Sequence, residues 1–330
     1  MSTIKEVAAR AGVSVTTVSR FLNDRGYISQ EMRKRISDAM GELNYHPNEV
    51  ARSLSKQRTN IIGVLVPLVS NPFWAEVVEA LAQTIQRRGY RMMLYTSTQA
   101  NDTAVGYINM LKANQVDGII VGLRGEAIAQ ELSDDLPVVS FERLKVGELP
   151  TVLCDNAEGG RMAARELLAC GCRCPAMLGA FYSRQIPAYE RLTGFREELK
   201  AHGVEPRDIE GLDAEYGNHY PELVEAAIER YPEVDGFFCS SDLMAAKLIQ
   251  GLERAGKRVP EDVQVIGFNG NHFAQDITPA LTTLRQPIEA MCETAVALLE
   301  KQIAGEKVPM EHIFPLTLDR RASTKPPAED

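Results

Sequence analysis

Over the first 45 residues, apolar side chains return every three or four positions, the period of a helix with one buried face. Thr3 precedes "IKEV" and Glu6 lies three places on, the sequence form of a capping box. The first helix is expected to run to about Ala11 and to stop at Gly12, a residue suited to a sharp turn. A second is expected from about Ser14 to Leu22. A third opens at Ser29, with Met32, Ile36, Ala39, Met40 and Leu43 on one face. Small Ala8 lets the first two helices approach, and Val7, Val18 and Phe21 fill the wedge. The spacing of Ala8, Gly12 and Val18 is that of a helix-turn-helix.

From Ile61 the pattern changes. Strand-like runs "IIGVLV", "YRMMLY", "DGIIVG", "LPVVSF", "CPAMLG", "DGFFCS" and "VQVIGF" alternate with helical stretches such as 74–88 and 242–255. This is βαβ alternation with buried parallel strands. "VDGIIV" and "VDGFFC" echo each other, which points to two similar α/β subdomains. Ligands of such folds sit at the carboxyl ends of strands, here in a cleft between subdomains. Between head and body lies "HPNEVARSLSKQRTN". Pro47 ends the preceding helix, Asn48 can cap a short new one, and Val50 and Leu54 share a face. So short a helix needs contact with something else to be stable.

Charge sharpens the division. Residues 1–60 carry ten Lys/Arg against six Asp/Glu, a net +4, while the other 270 carry 26 against 39, a net −13. A small basic head on an acidic body fits a head for a polyanion and a body for something else. No run of about 18 apolar residues exists to span a membrane. The N-terminus has charges where a signal peptide needs an apolar stretch, and six scattered cysteines fit free thiols. A cytoplasmic protein is expected.

In a helix-turn-helix the second helix enters the major groove and its first residues meet base edges. That places Val15, Thr16 and Thr17 at the DNA. They are mediocre helix formers, but short, with methyls for thymine and hydroxyls for bases or phosphates. Arg20, one turn on, can reach guanine O6 and N7. Ser14 and Asn23 complete the expected DNA-facing set. In the linker, Ala51, Leu54 and Ser55 are expected to meet DNA; Leu54 itself reads either as a minor-groove wedge or as a hydrophobic staple against the body.

The body shows no G-x-G-x-x-G, G-x-x-x-x-G-K-[ST], G-x-S-x-G or H-E-x-x-H, so no enzyme and no cofactor are expected. "CGCRC" (Cys170, Cys172, Cys174) splays its thiols in an extended segment and has no fourth ligand near in sequence, so no metal is expected either. Residues near strand ends suit recognition of a polar small molecule instead. "NPFW" supplies Asn71, Phe73 and Trp74, whose rings read either as core or as a platform that stacks on sugar C–H faces. "FER" supplies Glu142 and Arg143. Arg191, Asp242 and Asn269 are suited to vicinal hydroxyls.

The phrases "TIKEVAARAGVSVTTVSRFLN", "YHPNEVARSLSKQRTNIIGVLVP", "NPFWAEVVEAL", "QVDGIIV", "DNAEGG", "ERLTGF", "RVPEDVQVIGF" and "TPALTTLRQP" together resemble the LacI/GalR family of bacterial repressors along essentially the whole chain. "NPFW" and "FNGNHF" look like its sucrose- or ribose-type members. The resemblance implies a homodimer on a near-palindromic double-stranded operator, and a core like the periplasmic sugar-binding proteins with two Rossmann-like subdomains. It implies base contacts by Val15, Thr16 and Arg20 and a hinge leucine at Leu54. It implies a small carbohydrate effector lined by Asn71, Phe73, Trp74, Arg143, Arg191 and Asn269. The chain departs from the family at three positions: Asn269 stands for the usual aspartate, Cys172 for the histidine of "GHR", and Ser55 for a lysine that some members carry.

The expected organisation is a three-helix helix-turn-helix head at 1–46, a hinge helix at 47–60 and an effector-binding, dimer-forming α/β core at 61–330. After "IFPLTLDRR" only "ASTKPPAED" remains, with no leucine heptad for an extra bundle, so a dimer is expected and no larger assembly. The expected function is an effector-controlled transcriptional repressor. The alternatives are a sugar-binding or sugar-modifying α/β protein with an incidental basic head, and a regulator governed by a partner protein.

Overall fold

A computed structural model of the chain describes residues 2–22, 26–45, 58–97, 102–123, 128, 131–132, 136–142, 149–179, 189–210 and 220–327. The chain divides into two compact units, Met1–Thr59 and Asn60–Asp330.

The first unit holds α1 (Ile4–Ala11), α2 (Val15–Leu22) and α3 (Gln30–Glu42). The capping box forms in full. The Glu6 N–H donates to the Thr3 hydroxyl at 3.3 Å, and the Thr3 N–H donates to the Glu6 carboxylate at 2.8 Å. Gly12 ends α1 at φ 62°, a left-handed conformation that favours glycine. Arg35 braces the turn by donating to the Ala11 carbonyl at 2.6 Å. Val7, Ala8, Ala11, Val18, Ile36 and Ala39 form the core of the three helices, with Phe21 packed at its edge.

The second unit contains two six-stranded sheets. Its strands are β1 (Ile61–Val66), β2 (Arg91–Thr96), β3 (Gly118–Val121), β4 (Val138–Phe141), β5 (Thr151–Cys154), β6 (Pro175–Gly179), β7 (Arg207–Glu210), β8 (Gly236–Cys239), β9 (Gln264–Asn269), β10 (Thr282–Arg285), β11 (Glu311–Phe314) and β12 (Thr317–Asp319). Its helices are α4 (Pro72–Arg87), α5 (Asp102–Ala113), α6 (Asn156–Ala169), α7 (Tyr189–Ala201), α8 (Tyr220–Arg230), α9 (Asp242–Arg254) and α10 (Ile288–Ile303). One sheet runs β11-β5-β4-β3-β1-β2, parallel throughout. The other runs β12-β10-β9-β8-β6-β7, parallel except where β12 meets β10. The chain crosses between the sheets three times, after β5, after β10 and after β11. The second crossover returns α10 to the first sheet, where Met291, Cys292, Ala295, Val296 and Leu299 join its core.

All seven strand-like runs form strands. β5, β7 and β10 arise from runs not singled out among them. The closing stretch "IFPLTLDRR" serves two sheets: Pro315 has no N–H to give a ladder, so β11 stops at Phe314 and β12 starts afresh in the other sheet. No helix among the described residues is long and apolar enough to cross a membrane.

Two local features set up the site. Helices α6 and α7 touch backbone to backbone. A Cβ on Gly160 would lie 2.0 Å from the Arg191 carbonyl oxygen, and one on Gly194 would lie 2.0 Å from that of Ala157. This contact sets the first turn of α7, with Arg191, against the first residue of α6, Asn156. The second feature is Asp242, fully buried in the first turn of α9. Its carboxylate accepts from the Thr283 hydroxyl at 2.5 Å and the Asn271 N–H at 2.7 Å. Burial pushes its pKa up to about 7, against the pull of those hydrogen bonds.

Gly160→Ala should force the two helices apart and destabilise the core by about 1–3 kcal/mol, the usual cost of overpacking. Urea denaturation followed by circular dichroism checks this, and an unchanged midpoint would refute the close contact. Asp242 makes stability depend on pH. The native acid keeps its proton up to about 7, whereas the unfolded one releases it near 4. The native state therefore binds the extra proton between those values, and stability falls as pH rises from about 4 to 7. Asp242→Asn should remove this component, worth up to about 1.4 kcal/mol per pH unit within the window, when the two proteins are melted in parallel.

Candidate functional site

On the head, α2 presents its predicted contact residues outward. Val15 is 41% exposed, Thr16 and Arg20 are exposed and Thr17 is half-buried. Ser14 and Thr17 hold the start of the helix. The Thr17 N–H donates to the Ser14 hydroxyl at 3.1 Å, and the two hydroxyls share a hydrogen bond at 2.8 Å. Val18 is fully buried and anchors the helix through packing, which offsets its poor intrinsic propensity. Asn23, Ala51, Leu54 and Ser55, with most of the expected hinge, lie outside the described residues.

In the core, Arg191 is the point of convergence. Its guanidinium is buried, and buried charge must be paired and hydrogen-bonded to be tolerated. Nε donates to Asn156 Oδ1 at 2.6 Å, and Nη1 donates to the Ser240 carbonyl at 2.9 Å. Nη2 lies 3.8 Å from Glu142 Oε2. The guanidinium carbon sits 3.5 Å from the centroid of the Phe268 ring, a cation–π contact. Glu142 comes from the end of β4, in the sheet opposite Ser240 and Phe268, so Arg191 ties the carboxyl ends of the two sheets together. Glu142 is held in turn by the Cys154 N–H at 2.6 Å and has φ 55°. Burial pushes the Glu142 carboxyl up, and Arg191 and the Cys154 N–H pull it back. Burial also raises the Cys154 thiol well above its ordinary value, so it stays protonated.

Asn269 closes β9 at φ 114°, a region that asparagine tolerates better than most side chains. Its Oδ1 accepts from Gln286 Nε2 at 3.0 Å, and its carbonyl accepts the Gln286 N–H at 3.0 Å. Gln286 Oε1 and the neighbouring Asn271 Nδ2 are buried without a hydrogen-bond partner, one acceptor and one donor.

The other expected cleft residues have structural engagements. Trp74 is 2% exposed and lies in the core of the first sheet, 5.1 Å from Phe73 and 6.4 Å from Phe141 by ring centroids. Of the two rings put forward for stacking, Phe73 is the less enclosed, at 7% exposed. Asn71 caps α4, its Oδ1 accepting the Phe73 N–H at 3.0 Å. Asp242 is committed to Thr283 and to the loop after Asn269. Arg143 lies outside the described residues. Sequence reasoning missed Asn156, Ser240, Phe268 and Gln286. Each lies at or just beyond a strand end, and the Pro after Gln286 marks the crossover.

A hollow of about 490 Å³ lies between α4 and the second crossover, lined in part by Glu76, Glu79, His272 and Glu289; of the residues gathered around Arg191 and Asn269, Gln286 alone borders it. Among the described residues, no group of three His, Cys, Asp or Glu is placed to hold a metal ion.

Comparison with known proteins agrees with this architecture. Residues 3–48 match the family described as "Bacterial regulatory proteins, lacI family", and residues 164–324 match a periplasmic binding protein-like domain. The ribose operon repressor of Halalkalibacterium halodurans is 34% identical, with 98% of each chain covered. The sucrose operon repressor of Streptococcus mutans is 33% identical, over 96% of this chain and 97% of that one. A solved complex of the transcriptional regulator CelR with cellobiose is 30% identical and superposes with a TM-score of 0.72, covering 98% of this chain and all of that one. A helix-turn-helix head, a two-sheet binding-protein core and this identity over nearly the full length show that the chain belongs to the lacI family of bacterial regulatory proteins.

Proposed function

We propose that this transcriptional regulator is a cytoplasmic, homodimeric repressor whose hold on a near-palindromic operator is set by a small carbohydrate bound at the carboxyl ends of the core strands. It is not an enzyme, as its family are regulators. Two recognition helices would lie in successive major grooves about 34 Å apart, with Val15, Thr16 and Arg20 at the bases. Arg191 carries the reading. It joins Glu142 on one sheet to Ser240 on the other, so a ligand bound there touches both subdomains. An effector shifts an equilibrium only through its different affinity for the two forms, and a group spanning both subdomains is where that difference arises. Arg191 supplies fixed donors, Asn269 and Gln286 supply both a donor and an acceptor, and Phe73 supplies a ring. That chemistry suits a polyhydroxyl ligand. The names of the relatives, which include ribose, sucrose and cellobiose, point the same way.

Calorimetry of the full chain against a sugar panel tests the reading, with operator binding followed by fluorescence anisotropy. Arg191→Ala should weaken binding of the responding sugar by roughly one to two orders of magnitude, the loss of a buried charged partner, while operator binding without sugar survives. Equal binding of every sugar by the variant and the parent would move the site elsewhere. On the head, Arg20→Ala should relax preference at one operator position by about 1–3 kcal/mol. A uniform loss across all sequences would make Arg20 a phosphate contact.

A further inference from the structure

All three nitrogens of the Arg191 guanidinium face partners. Nε faces Asn156, Nη1 faces Ser240 and Nη2 faces Glu142, and Phe268 covers one flat side. Arginine grips a phosphate or carboxylate by presenting two parallel N–H groups along one edge of the fork. It has two such edges, Nε with Nη2 and Nη1 with Nη2. Each contains one nitrogen already donating to a neutral oxygen. Both contain Nη2, which has the Glu142 carboxylate against it. An anion arriving at either edge meets the Glu142 carboxyl a few ångströms away, in a buried setting where solvent screens little. Glu142 cannot swing aside freely: the Cys154 N–H holds it at 2.6 Å and its side chain is 4% exposed. Asn269 and Gln286, which pair with each other, are both neutral amides.

We propose that Glu142 is a specificity-determining residue: by closing the Arg191 fork to anions, it makes the cleft select an uncharged polyhydroxyl ligand over the phosphorylated form of the same ligand. The arginine then serves as a neutralised set of hydrogen-bond donors and not as an anion trap. Selectivity of this kind comes from a built-in repulsion against the competitor as much as from contacts to the favoured ligand. The inference rests on the cleft reading above and adds the class of effector.

The test uses the full-length protein and calorimetry with three pairs: D-ribose and ribose 5-phosphate, D-fructose and fructose 6-phosphate, sucrose and sucrose 6-phosphate. For whichever sugar binds, the parent protein should bind the phosphate roughly 100-fold more weakly or not at all, a gap of about 2.7 kcal/mol. Glu142→Gln should narrow that ratio by about tenfold or more and should gain binding of inorganic phosphate, which the parent lacks. Glu142→Asp should keep most of the discrimination. A phosphate ester that binds the parent as tightly as its sugar overturns the proposal, as does a ratio that Glu142→Gln leaves unchanged. Should Glu142→Gln fail to fold, as judged by its thermal melt, the parent's ratio and that of Glu142→Asp still decide. If the parent binds none of the six compounds, the cleft reading itself falls and takes this inference with it.

Discussion

A charged guanidinium taken out of water costs several kcal/mol unless its hydrogens find acceptors and its charge finds a partner. The core of this protein is arranged around meeting that demand for Arg191. Its partners come from four places: the start of α6, the end of β4, the turn after β8 and the ring at the end of β9. They reach one planar group because parallel βαβ units put all their strand carboxyl ends on the same side. The approach of α6 and α7 at Gly160 and Gly194 then fixes where the arginine starts. A helix pair with ordinary side chains at those positions would stand farther apart, and the Arg191–Asn156 bond would be out of reach.

The neighbouring polar groups follow from the same economy of charge. Asp242 is buried but belongs to the scaffold, where it holds Thr283 and the loop after β9. Asn269 begins that loop. An aspartate there would set a second buried carboxylate within two residues of the N–H that Asp242 already holds. Asparagine tolerates the same positive φ, adds no charge, and pairs with Gln286 amide to amide. The departure from the family's aspartate is thus consistent with its surroundings, not an isolated loss.

The head was legible because its signals are local. A capping box, a turn glycine and an apolar face spaced by three and four residues all act within one or two helical turns, and each appears where the sequence placed it. The buried parallel strands were legible for a similar reason, as continuous apolar runs bounded by turns. What escaped was decided by distant neighbours. "NPFW" reads equally as a stacking platform or as core, and Phe141, far along the chain, draws Trp74 inward. Asn156 and Ser240 look like ordinary polar residues beside turns, and only the position of Arg191 gives them a role. β7, with the sequence RDIE, lacks the apolar run of a buried strand because it lies at a sheet edge.

Head and core use polar residues in opposite ways. On α2, Val15, Thr16 and Arg20 are exposed. In the core the polar groups are buried and already engaged with one another, so on the proposed reading a ligand there would compete with those contacts. Glu142 and Ser240 face Arg191 from the two sheets at once, at 3.8 and 2.9 Å, so the arginine links the subdomains. A ligand that replaced neither contact would add affinity without favouring either arrangement, and equal affinity for two states shifts nothing. One that takes over a donor of Arg191 from one sheet must change the balance between the sheets. The arginine is therefore a tie between the two subdomains and, on the proposed reading, a place where a ligand would alter that tie.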